Sequence, residues 1–276
     1  MSAPLLSARE LTLAYEKPNG SHESNQPVLD ALSLTVAAGE LVAVVGASGS
    51  GKSSLLRVLA GLQRPTGGRV EINGNSVEGP HPHIAIAFQE ACLLPWLSVE
   101  KNVAFGLDFA HQPHLTRAER AQRISRALDE VGLGHARAMF PNQLSGGMAQ
   151  RVALARCVDR QAQLLLLDEP FAALDEVTRA EMQQLLRRVV DDTHAATVLV
   201  THDIDEALLV ADRVVLLGNR GHLVGTWHIA LPQPRAAYVQ ELGALRIEIL
   251  QALYVALGRP VRTPNAQPDS TLARSA

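Results

Sequence analysis

The run Leu41-Val42-Ala43-Val44-Val45 passes straight into Gly46-Ala47-Ser48-Gly49-Ser50-Gly51-Lys52-Ser53-Ser54, and this stretch restricts the fold more than any other. An unbroken apolar run of this kind reads as a strand buried on both faces. Behind the loop, Leu55, Leu56, Leu59 and Leu62 recur at helical spacing, with Gly61 and Pro65 closing the helix. Gly46 to Ser53 fits the pattern G-x-x-x-x-G-K-[ST] in the strand–loop–helix setting that gives it meaning. Glycines let successive backbone N–H groups converge on a polyphosphate with no Cβ in the way. The following helix turns its positive N-terminal end toward the same anion. Lys52 is then expected to reach the β- and γ-phosphates and the Ser53 hydroxyl to ligate Mg²⁺, so the stretch predicts a nucleoside triphosphate site.

The rest of the chain supplies strands and helices in alternation. Leu5 to Tyr15 alternates as a strand, and Lys17 to Pro27 is a polar loop rich in chain breakers. Leu32, Leu34 and Val36 alternate with Ser33 and Thr35, as in a half-buried antiparallel strand. Arg69 to Ile72 runs into the hairpin turn Asn73-Gly74, and Ile84 to Phe88 is another buried strand ending at Gln89. Helical signals then take over. Thr116 and Glu119 form a capping box ahead of Ile124, Leu128 and Val131, Gly132 stops that helix, and Ser145 is placed to cap the next.

Leu164 to Leu167 is a four-leucine strand ending in Asp168-Glu169-Pro170. Asp175 is a cap for a helix carrying Val177, Leu185, Leu186 and Val189. Thr197 to Val200 is a strand, and Asp203 with Glu206 is expected to cap the helix behind it. Val214 to Leu217 and Leu223-Val224 form a closing hairpin through Asn219-Arg220-Gly221. The predicted class is α/β: a mostly parallel sheet flanked by helices, with an antiparallel β subdomain and an inserted helical subdomain at about 91–160. The main body is expected over 5–231, a helical extension over 232–259, and a poorly ordered tail over 260–276, where polar residues predominate.

Composition closes off other classes. The formal net charge of −3 gives no bulk attraction for nucleic acid. Cys92 and Cys157 stand far apart and outside any C-x-x-C spacing, so neither a disulfide framework nor a zinc site is expected. The N-terminus lacks the pattern of a signal peptide. No apolar run approaches the roughly 18 residues of a membrane span, so any spans would belong to other chains. His81, His83, His111 and His114 lack a paired ligand set and read as solvated loop histidines. Arg117, Arg120, Arg123 and Arg126 make a positive stripe on the capped helix.

Two further stretches carry chemistry. The four-leucine strand delivers Asp168 and Glu169 at its C-terminal end, where α/β sheets place ligands. Asp168 is expected to hold Mg²⁺, directly or through water, and Glu169 to polarise the water that attacks the γ-phosphate. In Leu144-Ser145-Gly146-Gly147-Met148-Ala149-Gln150-Arg151, two glycines behind a serine cap make a second helix N-terminus with bare N–H groups. This segment resembles the LSGGQ signature of the ABC ATPases, with Met148 in place of the glutamine, and it lies in the family's order between the phosphate loop and Asp168-Glu169. The chain is similar to that family over about Leu5 to Leu231.

The resemblance implies a RecA-like sheet, ATP as nucleotide, and further roles residue by residue. Tyr15 would stack on adenine. Gln89 would sense Mg²⁺ and the attacking water as the Q-loop glutamine. Leu174-Asp175 matches the D-loop, and His202 matches the switch histidine at the γ-phosphate. Two cassettes would sandwich ATP head to tail, with the phosphate loop of one facing Ser145, Gly146 and Gly147 of the other. The segment Ala91 to Leu107, with Pro95 and Trp96, looks like the post-Q-loop segment of bacterial importers of nitrate, aliphatic sulfonates and taurine. There it would receive a membrane-spanning permease subunit, the alternative being that Trp96 packs inside the helical subdomain. Leu231 to Arg235 and the helix through Leu242, Leu245, Ile247 and Leu250 resemble the same group. The implied assembly is a cassette homodimer with two permease subunits and, indirectly, a periplasmic solute-binding protein, at the cytoplasmic face of the bacterial inner membrane. The ATPase subunit of a multi-chain exporter is the nearest alternative, and a soluble, non-transport ABC ATPase the next.

Overall fold

The computed structural model describes residues 4–15, 26–109, 112 and 114–259. The 17–25 part of the breaker-rich loop, His111 and the tail expected over 260–276 lie outside them. Six strands form the central sheet: β3 (Leu41–Gly46), β6 (Ile84–Ala87), β7 (Leu164–Asp168), β8 (Ala196–Val200), β9 (Arg213–Leu217) and β10 (Leu223–His228). Their order is β10-β9-β3-β8-β7-β6, parallel throughout except that β10 returns antiparallel on β9 as the closing hairpin. A second, antiparallel sheet has the order β2-β1-β4-β5, from β1 (Leu6–Leu13), β2 (Leu29–Val36), β4 (Gly67–Ile72) and β5 (Asn75–Ser76). Asn73 and Gly74, at φ 50° and 77°, make the tight turn between β4 and β5.

The apolar runs have their reason in the packing. Along β3, Leu41, Ala43 and Val45 enter one core while Val42 and Val44 enter another; on β7, Leu165 and Leu167 face away from Leu164 and Leu166 in the same way. A parallel sheet covered on both faces needs apolar residues at every position. The first core is completed by α4 (Gly146–Asp159), α5 (Glu176–Thr193), α6 (Ile204–Val210) and α7 (Val239–Ala256), the second by α1 (Lys52–Leu59) and the antiparallel sheet. The short α2 (Val99–Val103) and α3 (Arg117–Glu130) pack with α4 to form the helical block. Thr116 and Glu119 realise the capping box: the Thr116 amide donates to the Glu119 carboxylate at 2.8 Å, and the Glu119 amide to the Thr116 hydroxyl at 3.2 Å.

Four apolar or capping expectations shift. Leu62 lies beyond α1 and is exposed, because the helix closes at Leu59 and Gly61 turns the chain with φ 70°. Val177 is exposed in the first turn of α5, while Leu185, Leu186 and Val189 face the core. On α7 the buried residue is Ile249, and Ile247 points to solvent. Asp203 does cap α6, accepting from the Asp205 and Glu206 amides, but the Glu206 side chain turns away to the Thr201 hydroxyl. The segment after β10 grips α6 at both ends. Arg235, almost fully buried, donates to the carbonyls of Leu208, Ala211, Ile229 and Leu231, and Arg246 Nε lies 2.9 Å from the Asp205 carboxylate.

Candidate active site

The phosphate loop crosses from β3 to α1 along a path that only small residues can take. A Cβ on Gly46 would stand 2.6 Å from the Leu217 carbonyl oxygen. Gly51, the N-cap of α1, has φ 93°, and a Cβ there would meet the Val28 carbonyl oxygen at 2.6 Å. Ser48, Gly49 and Ser53 are exposed, Ala47, Gly51 and Ser54 are half-buried, and the Ser50 hydroxyl is buried without a partner among the described residues. Lys52 is buried and folded over the loop, its ammonium donating to the Gly46 carbonyl at 2.9 Å and the Ala47 carbonyl at 3.0 Å. Burial pulls its pKa down, and the carboxylates of Glu169 and Asp168 oppose that pull. Tyr15 stands exposed beside the same helix, its phenol 3.2 Å from the Ser54 hydroxyl and donating to Gln63 at 3.1 Å.

Parallel pairing of β7 with β8 puts their C-terminal ends side by side, with Asp168 opposite Val200. Asp168 accepts from the Ser53 hydroxyl at 3.4 Å, which joins the end of β7 to the start of α1. Burial raises the Asp168 carboxyl, and the Ser53 hydrogen bond works against it. Glu169 follows in the left-handed region at φ 46°, an uncommon conformation for a residue with a side chain. Its amide donates to the Val200 carbonyl at 2.8 Å, and its carboxylate lies 3.2 Å from Nδ1 of His202. Local strain of this sort collects at functional sites, where the surroundings over-determine the backbone. Lys52, Ser53, Asp168, Glu169 and His202 are thus gathered at one end of the sheet, around the N-terminus of α1. A carboxylate oxygen and a hydroxyl oxygen this close are hard donors that suit Mg²⁺.

Other predicted residues stand apart from that group. Gln89, two residues beyond β6, is exposed; its carbonyl accepts from the Gln150 side chain, and its own amide has no hydrogen bond among the described residues. Ser145 caps α4, accepting from the Met148 amide at 3.3 Å, and with Gly146 faces solvent within the helical block. Gly147 is buried, and a Cβ on it would lie 2.3 Å from Cγ2 of Thr178. Asp175 caps α5 through the Thr178 amide and hydroxyl at 3.0 and 2.7 Å, which hold its carboxyl below the usual range. No hydrogen bond among the described residues joins Ser145, Gly146, Gly147 or Asp175 to the phosphate loop. Trp96 is 70% exposed, which removes the alternative that it packs inside the helical block.

Sequence reasoning overlooked what holds the Trp96 loop. Asn102 is fully buried and ties Leu94 and Leu97 to α2: it accepts from the Leu94 amide at 2.8 Å and donates to the Leu97 carbonyl at 2.8 Å. Arg156 from α4 donates to the Asn102 side chain and to the Cys92 carbonyl, the latter at 2.9 Å. A lone asparagine between Val99 and Val103 was the available signal, since a polar residue inside an apolar face must find partners.

A glycine-rich loop between a buried strand and a helix, facing two strand-end carboxylates and a histidine, defines a phosphate-loop nucleotide hydrolase. Residues 29–172 match the sequence profile described as ABC transporter. An aliphatic sulfonates import ATP-binding protein (SsuB 1) of Xanthomonas axonopodis pv. citri is 44% identical over 238 residues, covering 85% of this chain and 94% of that protein. Its counterpart in Pseudomonas fluorescens is 47% identical over 232 residues, covering 84% and 83%. The bicarbonate transport ATP-binding protein CmpC of Synechococcus elongatus is 39% identical over 252 residues, covering 89% of this chain but 38% of that longer protein. Among solved structures, a dimeric ATP-binding cassette in a post-hydrolysis state with ADP and Pi superposes with a TM-score of 0.71 at 30% identity, covering 82% of this chain and all of that one. The chain belongs to the ABC transporter family and is an ATP-binding cassette.

Proposed function

We propose that this chain is the ATP-hydrolysing subunit of an importer for a small anion such as an aliphatic sulfonate, taurine, nitrate or bicarbonate. It would work as a head-to-tail homodimer beneath two membrane-spanning permease subunits, at the cytoplasmic face of the inner membrane, fed by a periplasmic solute-binding protein. The observation that carries the enzymatic part is the contact between Glu169 and His202, 3.2 Å apart beside the phosphate loop. Backbone amides of Gly46 to Gly51 cradle the phosphates, with Ala47, Ser48, Gly49 and Ser50 supplying the curve, and Lys52 leaves the Gly46 and Ala47 carbonyls to meet them. Ser54 and Tyr15 border the nucleotide, with Tyr15 offering its ring to adenine. Ser53 and Asp168 would hold Mg²⁺, with Gln89, which stands apart from them here, as the third proposed ligand, and the ion would supply charge neutralisation at the phosphates. Glu169 orients and polarises the attacking water, and His202 holds the γ-phosphate side of the site.

Ser145 and Gly146 stand exposed at the N-terminus of α4 on the helical block, with Gly147 buried behind them. They would complete the site of a partner cassette, as the dimeric form of the structural relative supports. Asp175 would lie across the same interface. The import reading, preferred to an exporter, rests on the sulfonate and bicarbonate proteins to which the chain is similar. Exposed Trp96, braced by Asn102 and Arg156, gives the permease a rigid aromatic anchor. Glu169→Gln tests the core of this reading. It should bind ATP, hydrolyse it slowly and accumulate as a dimer on sizing; a protein that stays monomeric in saturating MgATP would refute the sandwich.

A further inference from the structure

Two charged side chains outside the phosphate site connect its moving parts. Arg179, on α5, donates through Nη2 to the carbonyl of Leu174 at 2.9 Å, so it holds the main chain beside Asp175. Its Nε faces Glu206 Oε1, on α6, at 3.5 Å. The other Glu206 oxygen accepts from the Thr201 hydroxyl at 2.8 Å, and the same hydroxyl accepts from the Asp203 amide at 3.0 Å. Thr201 also donates its amide to the Val44 carbonyl on β3 at 3.2 Å, and His202 is its chain neighbour. Thr201 and Glu206 are both buried.

An ion pair taken out of water is a poor source of stability, because desolvation offsets the attraction, and a well-packed apolar pair would do as well. Such pairs do fix one geometry against others. Here the pair spans the gap between the segment carrying Asp175 and the segment carrying His202. The 3.5 Å separation is too long for a good hydrogen bond, and Arg179 Nε is buried with no hydrogen-bond partner. A small approach of α5 to α6 would close it. Burial raises the Glu206 carboxyl and the Asp203 carboxylate adds to that, while the bond from Thr201 and the charge of Arg179 oppose it.

We infer that Arg179 and Glu206 are positioning residues for hydrolysis, a strut that transmits the placement of the Leu174-Asp175 segment to Thr201 and so sets His202 against Glu169. This rests on the proposed roles of Asp175, His202 and Glu169. When the partner cassette seats against Asp175, Arg179 moves with Leu174, its contact with Glu206 tightens, and the placement of His202 beside Glu169, already present in the single chain, is held more firmly in the closed dimer. The coupling makes turnover conditional on dimer closure without any contact between the strut and nucleotide.

The test uses the full chain and steady-state ATPase kinetics. Glu206→Gln keeps an acceptor for the Thr201 hydroxyl and removes the charge that faces Arg179; Arg179→Met removes the other end. Each is expected to lower kcat by about tenfold with KM for ATP within about twofold, the double variant falling no further than either single one. In a His202→Ala background, Glu206→Gln should have no added effect on kcat. Additive losses, or a KM that rises as Tm falls, would reduce the pair to a stabilising contact and overturn the inference. An unchanged kcat in both single variants, alongside loss of turnover in His202→Ala, would overturn the strut while leaving the site standing. Full activity of His202→Ala would instead overturn the proposed site itself.

Discussion

Replacing Asn102 with alanine should separate the scaffold of the Trp96 loop from the chemistry of ATP hydrolysis. The side chain is fully buried and serves groups on both sides of the loop. Some of them keep a second partner when it goes: the Leu94 carbonyl still accepts from the Leu97 amide, and the Ser98 carbonyl from the Asn102 amide. The Leu94 amide and the Leu97 carbonyl have only Asn102 among the described residues, and Arg156 loses one of its three contacts. Two orphaned backbone groups at roughly 1–3 kcal/mol each, partly relieved by water, put the loss at about 3 kcal/mol. At roughly 2–4 °C per kcal/mol this lowers Tm by about 6–12 °C. Thermal unfolding followed by circular dichroism reads the shift directly. ATPase activity of the isolated cassette, measured well below Tm, should be close to normal, because none of the lost bonds touches the phosphate loop. Activity stimulated by permease in proteoliposomes should collapse, because the loop no longer presents Trp96 in one place. A Tm within about 2 °C of the parent would show that the loop holds its shape without Asn102, and the reasoning would fail.

Three further outcomes follow from the packing. Trp96→Ala should weaken coupling to permease while sparing isolated ATPase activity; equal loss of both would make Trp96 a folding residue. Gly147→Val should destabilise the chain by about 1–3 kcal/mol in urea unfolding, since Thr178 is held by Asp175 and cannot swing aside, and Thr178→Ser should restore part of the loss. Asp159 is buried without a hydrogen-bond partner among the described residues, and burial pushes its carboxyl up to about 6 despite the charges of Arg123 and Arg120. The folded state then holds that proton more tightly than the unfolded chain, so ionisation costs stability as pH rises from about 4 through 6. Asp159→Asn should therefore stabilise the protein at pH 8 by about 1–3 kcal/mol, a gain that fades as pH is lowered through 6 toward 4.

The sheet was legible because its chemistry is local. Strands covered on both faces, such as Leu41 to Val45 and Leu164 to Leu167, leave uninterrupted apolar runs. Thr116, Ser145, Asp175 and Asp203 announce helix starts because capping involves neighbours only three residues away. Glu206 misled for the same reason: it sits at capping distance from Asp203, but the Thr201 hydroxyl offers a better buried partner. Ile247 and Ile249 fit helical spacing almost equally well, and only contact with the sheet decides which is buried. Pairs distant in sequence left no periodic trace. Arg156 with Asn102, Arg179 with Glu206, and Arg235 with the end of α6 emerge only when the layers come together, and so does the left-handed backbone at Glu169.

The grip on α6 changes where this cassette can sensibly be cut. A junction at 231 looks natural in sequence, since the cassette motifs end there and Pro232 follows. Yet a chain ending at that point would leave the Leu208 and Ala211 carbonyls at the end of α6, and the Ile229 carbonyl beyond β10, without the guanidinium of Arg235, and Asp205 without Arg246. That helix begins two residues after His202. A chimera, fusion or minimal fragment built at the apparent boundary would disturb the switch segment from behind, and any activity measured on it would describe the damage. The usable seam in this polypeptide lies after α7.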